Sequence, residues 1–262
     1  MTNLLLNAMP GWMVAALVVL SLVGFTAVMS ALAGRRWLRD VEPGYNEVTG
    51  LLFQTVGVMY TLLLAFVVVS TSEATQEADH IATQEAATVQ ALFMDSRHLS
   101  EPTASRVGGM VIAYAETVVA KEWPELAFGR GSEAADDALD AIFSVLASFE
   151  PKTPREEIIF AEAFRELNNA TEQRFSRLHA AQATLPGAFW LALILGSLLT
   201  QTTAALLYMK DRRIHERINL GIAVVSGLLI FLVAALDNPF AGDLSIGPDA
   251  FVTALEEMRR LK

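Results

Sequence analysis

The stretch that decides the fold runs from residue 48 to residue 72 and reads VTGLLFQTVGVMYTLLLAFVVVSTS. It contains no Asp, Glu, Lys or Arg over its whole length. A helix needs roughly 20 apolar residues to cross the hydrocarbon core of a bilayer, which is about 30 Å thick. Lipid cannot hydrogen-bond to backbone amides, so the helix must satisfy them itself. The stretch therefore predicts a transmembrane helix.

Three further uncharged segments predict three more spans, at residues 11–34, 186–209 and 218–236. The first could be a cleaved signal sequence, because Ala31-Leu32-Ala33 resembles a processing site. However, no Lys or Arg precedes this apolar run, and the run is longer than the apolar region of a signal peptide. We therefore expect it to remain as the first span.

The charge of the chain divides it into two parts. The whole sequence of 262 residues is 53% apolar with a net charge of −10, and its mean hydropathy is +0.40. Residues 71–185 hold 19 acids and 9 bases, whereas the remainder is neutral. We predict four regions. Residues 1–72 hold spans one and two with a short basic loop, and residues 73–185 form an acidic soluble domain. Residues 186–236 hold spans three and four with a second basic loop, and residues 237–262 form a C-terminal segment.

Basic residues beside the spans predict the orientation, because they are retained on the cytoplasmic side. The loop after span one carries Arg35, Arg36 and Arg39, and residues 210–217 between spans three and four carry four bases. The flanks of the central domain carry few basic residues. The rule predicts a multi-pass protein of the bacterial inner membrane with its termini and its central domain outside the cytoplasm.

The central domain has the apolar periodicity of helices, with steps of three and four. No alternating strand pattern and no internal repeat interrupts it. The longest apolar stripe leads into span three and comprises Ile158, Ala161, Phe164, Leu167, Thr171 and Leu178. We predict an all-α fold.

Short motifs spread over most of the chain carry a family resemblance. In chain order they are YTLLLAFV at residues 60–67, Glu85-Ala86, Tyr114, Glu122-Trp123-Pro124, Arg174, Arg177-Leu178, LPGAFW at residues 185–190, and DNPFAG at residues 237–242. Together they resemble the bestrophin-like family, also called the DUF4239 family. The last motif is the most specific, because it is similar to the Asn-Pro-Phe-Gly segment of true bestrophins.

The resemblance implies four spans with a helical domain between spans two and three. It also implies a pentameric anion channel whose neck is lined by span two, with the domain in the cytosol. The charge rule contradicts that location, and we follow the charges. In bestrophins an acidic run after the Asn-Pro-Phe-Gly segment helps bind calcium. Here Ala241 separates Phe240 from Gly242, and only Asp243 and Asp249 follow, which argues against a calcium clasp.

Small and mildly polar residues fall on one face of span two, where they are candidates for lining a pore. The stripe runs from Gly50 to Ser72, and its proposed lining residues are Gln54, Gly57, Thr61 and Ala65. The opposite face, with Leu52, Val56, Met59, Leu63 and Phe66, suits lipid or packed neighbours. The alternative is that the small residues only let helices approach closely.

The segment Asp237-Asn238-Pro239-Phe240 forms a candidate site at the membrane edge. Pro239 ends the span, and Asp237 and Asn238 favour a turn. A cation site is the alternative, but calcium requires six to eight oxygens and only scattered ones accompany this segment.

The sequence lacks the residues that metal sites, enzymes, nucleic-acid binding and proton pumps require. The chain has no Cys, and its four His residues lack paired metal-ligand spacing, so we predict no metal and no cofactor. Phosphate-binding loops and nucleophile elbows are absent, so we predict no enzyme. An acidic domain repels nucleic acid. Because the spans contain no charged side chain, a passive pore is favoured over a proton-coupled pump.

Two hypotheses of function remain. The first is a homo-oligomer, a pentamer by resemblance, that surrounds an ion pathway lined by span two with unresolved selectivity. A ring of subunits is needed because four helices cannot enclose a sizeable channel. The second is a membrane-anchored structural or sensor protein whose acidic helical domain binds a protein partner.

Overall fold

The computed structural model describes residues 9–38 and 41–262, which are helical with short connections and contain no strand. Arg39 of the first basic loop lies outside the described residues. The helices, in chain order, are α1 Gly11–Arg36, α2 Tyr45–Ser96, α3 Thr103–Thr117, a π-helical turn Val118–Glu122, α4 Trp123–Leu126, α5 Glu133–Ala147, α6 Pro154–Gln182, α7 Gly187–Leu206, α8 Arg212–Leu236 and α9 Asp249–Leu261.

Four of the described helical stretches are long and apolar enough to cross a membrane. They contain α1, the first half of α2, α7 and α8, which correspond to the four predicted spans. The predicted all-α fold with four transmembrane helices and a helical domain between spans two and three is confirmed. Span two is only part of its helix, because α2 continues without a break to Ser96.

The chain divides into two compact units. The first comprises residues 1–73 and 184–237 and holds the apolar helices. The second comprises residues 74–183 and 238–262, so the C-terminal segment belongs to the same unit as the inserted helices. Within it, α9 buries Phe251, Leu255 and Met258 along one face.

Capping residues explain where two of the helices begin. Asp211 precedes α8, and its Oδ1 accepts hydrogen bonds from the backbone N–H groups of Arg213 and Ile214. Thr153 precedes α6 and accepts from Glu156 N, while the Glu156 carboxylate accepts from Lys152 N. Each cap satisfies amides that the first helical turn leaves without partners.

The apolar unit is held together by close contacts and by buried polar pairs. Gly227 lies so close to α1 that a Cβ there would be 2.9 Å from Val19 Cα. Thr26 donates to Gln201 Oε1, and Gln201 Nε2 donates to Ser226 Oγ, which links α1, α7 and α8. In lipid such pairs add modestly to the packing between helices.

The predicted stripe on α6 is wrong in part. Ile158 is 72% exposed, and Ala161 and Thr171 are also exposed. The residues that α6 buries are Ala163, Leu167, Ala170, Arg174, Arg177 and Ala181. A prediction from hydrophobicity alone chose the wrong face of α6, because the buried face contains Arg174 and Arg177. Both arginines form ion pairs with carboxylates there.

Candidate functional site

The membrane half of α2 packs against its own unit along a narrow face. Tyr60, Leu64 and Val67 are buried there, in a cluster with Leu193 of α7 and Val233 of α8. The contact with α7 is close, because a Cβ at Gly196 would lie 2.6 Å from Tyr60 Cδ2.

Three of the four predicted lining residues lie outside this packing face, and Gly57 lies at its edge. Gln54, Thr61 and Ala65 are exposed, and Gly57 is half-buried. A Cβ added at Gly57 would meet no atom within 4 Å. Gly57 is therefore not needed for close helix approach within the unit, unlike Gly196.

The helical repeat places these residues on one strip of α2. At 3.6 residues per turn, Gln54, Thr61 and Ala65 point within about 40° of one another and about 110° from the buried face, while Gly57 points about 60° from Gln54 toward that face. Large apolar residues lie beyond the strip, with Met59, Leu62 and Phe66 each more than half exposed. Val56 and Leu63, which we assigned to that outer face, are half-buried beside the packing face.

The membrane-edge segment is held by its own side chains and backbone. Asp237 accepts hydrogen bonds from Leu185 N and from Trp190 Nε1, so both carboxylate oxygens bind N–H groups at the start of α7. Asn238 is buried. Pro239 O accepts from Ile246 N at 2.8 Å, and the Phe240 ring packs edge-on against Trp123 at 5.9 Å. This geometry is that of a structural turn.

The second unit contains a buried charge cluster, which we define as Glu85, Tyr114, Glu122, Arg174 and Arg177. Arg177 binds both oxygens of Glu85, through Nε at 2.5 Å and Nη2 at 3.0 Å. Its Nη2 also donates to Glu122 Oε1 at 2.7 Å. Arg174 binds Glu122 as well, and the Tyr114 hydroxyl donates to Glu85 Oε1 at 3.0 Å.

The charges of the cluster stabilise one another out of water. Burial would raise the pKa of the Glu122 carboxyl, but hydrogen bonds from Arg174, the charge of Arg177 and the Ser132 amide together lower this pKa below its ordinary value. Burial would lower the pKa of both arginines, but their carboxylate partners raise it above the ordinary value. Burial and the charge of Glu85 raise the pKa of Tyr114.

Aromatic rings and an irregular turn complete the surroundings of Arg177. Its Cζ lies 5.2 Å from the centre of the Trp123 ring and 5.8 Å from that of Phe251. Trp123 follows the π-helical turn Val118–Glu122, which also carries Glu122. Such turns redirect side chains and occur often at functional sites.

The cluster brings together residues that belong to separate motifs along the sequence. Nothing in their spacing along the chain predicts that they meet, because Glu85 and Arg177 are 92 positions apart. The available signal was Arg174 and Arg177 at a spacing of three on a helix, in register with Leu167 and Ala170. We did not identify them as site residues.

The fold is similar to that of solved membrane proteins. The structure of a bacterial Bestrophin homologue from Klebsiella pneumoniae with one substitution matches at a TM-score of 0.70 and 14% identity, covering 92% of this chain and 94% of that one. Another variant from the same organism matches at 0.68 and 12% identity, covering 93% and 98%. A structure described only as a membrane protein matches at 0.69 and 14% identity, covering 90% and 96%.

At these identities the likeness establishes a shared fold. A comparison with curated proteins gave no match. The family model described as Bestrophin-like domain matches residues 15–251, a range that contains the α2 strip, the charge cluster and the membrane-edge segment. The chain therefore belongs to the Bestrophin-like domain family.

Proposed function

We propose that this protein is a homo-oligomeric ion channel whose pore is lined by the α2 strip, Gln54, Gly57, Thr61 and Ala65. The observation that carries the proposal is the position of this strip. It lies on a membrane helix, yet Gln54, Thr61 and Ala65 are exposed in their own subunit, and a Cβ added at the half-buried Gly57 would meet no atom within 4 Å. Mildly polar residues without contacts inside a subunit favour a water-filled path over lipid.

The family membership supports a channel rather than an enzyme. Four helices leave no room for a sizeable passage inside one chain, so the pore requires a ring of subunits. The resemblance to bestrophins favours five, and particle symmetry of the purified protein in nanodiscs tests that number. A monomer would leave the second hypothesis, a membrane-anchored structural or sensor protein.

The absence of cysteine from the chain makes a direct test simple. Single cysteines replace Gln54, Thr61 or Ala65 in the strip, and Met59, Leu62 or Phe66 on the apolar face serve as matched controls. The protein is reconstituted in vesicles of phosphatidylethanolamine and phosphatidylglycerol and treated with a charged thiosulfonate. Because thiolates form in water and not in lipid, we expect strip cysteines to react at least about tenfold faster than the controls.

Flux measurements with several salts complete the test and address selectivity, for which we propose no ion. We expect Gly57→Leu to abolish flux, because the longer side chain enters the pathway, and Val69→Leu on the apolar face to leave flux unchanged. Conductance no greater than that of empty vesicles in every salt contradicts the channel.

We also propose that the protein lies in the bacterial inner membrane with residues 73–185 outside the cytoplasm. The support is the excess of Lys and Arg in the two short loops. In spheroplasts, an impermeant thiol reagent should label Asp137→Cys and not Arg213→Cys. The opposite pattern would establish the topology of true bestrophins.

A further inference from the structure

A groove lies on the second compact unit, where the end of α2, the first turns of α3 and the end of α9 meet. Its cavity volume is about 290 Å³. The groove is lined by Phe93, Arg97, Glu101, Ala104, Ser105, Gly108, Gly109 and Lys262. All of these residues belong to the second unit. A cavity of this size suits a ligand of few atoms rather than a large cofactor.

Two neighbouring glycines of α3 form the floor of the groove. Of the glycines that the structure describes in the second unit, only Gly108 and Gly109 lie inside a helix. Glycine destabilises a helix interior relative to alanine, so its presence there calls for a reason. Gly108 has a packing reason, because a Cβ there would be 3.4 Å from Phe93 Cε2.

Gly109 has no such reason within the protein. The residue is half-buried, yet a Cβ added to it would meet no atom within 4 Å. The open space beside it is the groove, which a longer side chain at this position would fill. The glycine therefore keeps the cavity open and allows a ligand to approach the helix backbone closely.

Arg97 gives the groove a positive charge that is available to a ligand. Its guanidinium Cζ lies 6.0 Å from the centre of the Phe93 ring, and no ion pair joins it to a carboxylate in the part of the chain that the structure describes. A guanidinium can bind a carboxylate through two parallel N–H···O hydrogen bonds. The side chain of Lys262 brings a second cation to the same groove.

The acid of the groove already has partners. The Glu101 carboxylate accepts hydrogen bonds from Ser105 Oγ at 2.7 Å and from Ser105 N at 3.4 Å, in the first turn of α3. Two cations and one carboxylate leave the lining side chains with a net charge of +1. One negative charge on a ligand balances this lining, whereas a second would be repelled by Glu101.

We propose that this groove is a binding site for a small organic monocarboxylate with a flat apolar body. The carboxylate binds the guanidinium of Arg97, and Lys262 adds attraction from the end of α9. The apolar body lies on the glycine floor, beside the Phe93 ring and Ala104. The site belongs to the second unit alone, so it does not depend on the proposed pore.

Fluorine NMR of 4-fluorobenzoate tests the site on the full chain in nanodiscs, which leave both sides of the membrane accessible. We expect a dissociation constant of about 1 mM, since so small a ligand makes few contacts. The uncharged analogue 4-fluorobenzamide has nearly the same shape and should bind at least about tenfold more weakly, because it cannot form the charged fork. Empty nanodiscs correct for partition into lipid.

Filling the floor should remove the site. We expect Gly109→Leu to weaken binding of 4-fluorobenzoate at least about tenfold, because the added side chain occupies the cavity. The matched control is Gly221→Leu, at a helical glycine that also has no atom within 4 Å of an added Cβ but lies in the first unit. This control should leave the binding unchanged.

Removing the cation covers the case in which Gly109→Leu does not fold. Arg97→Gln should also weaken binding at least about tenfold, and Arg97→Lys should give an intermediate loss because it keeps the charge without the fork. The matched control is Arg106→Gln, at an exposed arginine of α3 outside the lining. It changes the net charge of the protein equally and should leave the binding unchanged.

The site is overturned if the benzoate signal does not exceed that of empty nanodiscs, or if the benzamide binds as tightly as the benzoate. Unchanged binding in the folded groove variants overturns it too, as does an equal loss in Arg106→Gln. Inorganic phosphate that displaces the probe at a lower concentration than benzoate does would overturn the assignment to a carboxylate with an apolar body. Loss of binding only in the variants of Gly109 and Arg97 supports the proposal.

Discussion

Tyr60 lies against Gly196, and only a residue without a side chain allows this approach of α2 to α7. A Cβ at position 196 would be 2.6 Å from Tyr60 Cδ2, which is closer than non-bonded carbon atoms come. We expect Gly196→Ala to lower the free energy of unfolding by about 1–3 kcal/mol, the usual cost of overpacking.

Gly57→Ala is the matched control for this substitution, because it adds the same methyl group where no atom lies within 4 Å. It should leave stability unchanged or raise it. The measurement is reversible unfolding of both variants in detergent. Equal losses of stability in the two variants would contradict the open space found beside Gly57.

Removing Arg177 alone should be more harmful than removing its whole hydrogen-bonded set. Arg177→Met leaves Glu85 buried without a cationic partner, which costs about 3–5 kcal/mol of unfolding free energy. The combined variant with Glu85→Leu and Tyr114→Phe should lose less. The exposed pair of Arg130 with Glu125 is the control, where Arg130→Met should cost no more than about 1 kcal/mol.

Acid should weaken the fold through Glu122. Its pKa in the folded chain lies below the ordinary value of 4.5. The stability that ionised Glu122 provides is therefore complete above that value and is lost as the pH falls through the lowered pKa. Unfolding measured between about pH 7 and pH 3 should show a steeper loss in the parent than in Glu122→Gln, whose side chain does not titrate.

Asp237 should stabilise the turn that enters α7. Asp237→Ala leaves the Leu185 amide and the Trp190 indole N–H without an acceptor, which we expect to cost about 1–3 kcal/mol. Asp237→Asn retains one carbonyl oxygen and should cost less. Thermal unfolding compares the two variants. A larger loss of stability in Asp237→Asn than in Asp237→Ala would contradict this role of Asp237.

The membrane helices could be predicted from the sequence because their signal is local. Uncharged runs such as residues 48–72 are long enough to cross lipid whatever they pack against. The same reasoning could not distinguish Gly57 from Gly196. Both are glycines in apolar helices, and only the structure identifies the one that faces a tyrosine ring.

The charge cluster could not be predicted, because its members depend on pairing across the fold. The predicted hydrophobic stripe on α6 left out Arg174 and Arg177. It included Ile158, Ala161 and Thr171, and all three are exposed. The cost of burying a guanidinium is removed by carboxylates on other helices, which no local pattern reveals.

The π-helical turn at Val118–Glu122 makes the length of this segment critical. Such a turn holds one residue more than an α-helix of the same rise. Deleting one residue there would restore ordinary winding and displace Glu122, which lies within the turn, from its place against the arginines. Insertions and deletions among relatives should therefore spare these five positions, even where the neighbouring loops vary freely in length.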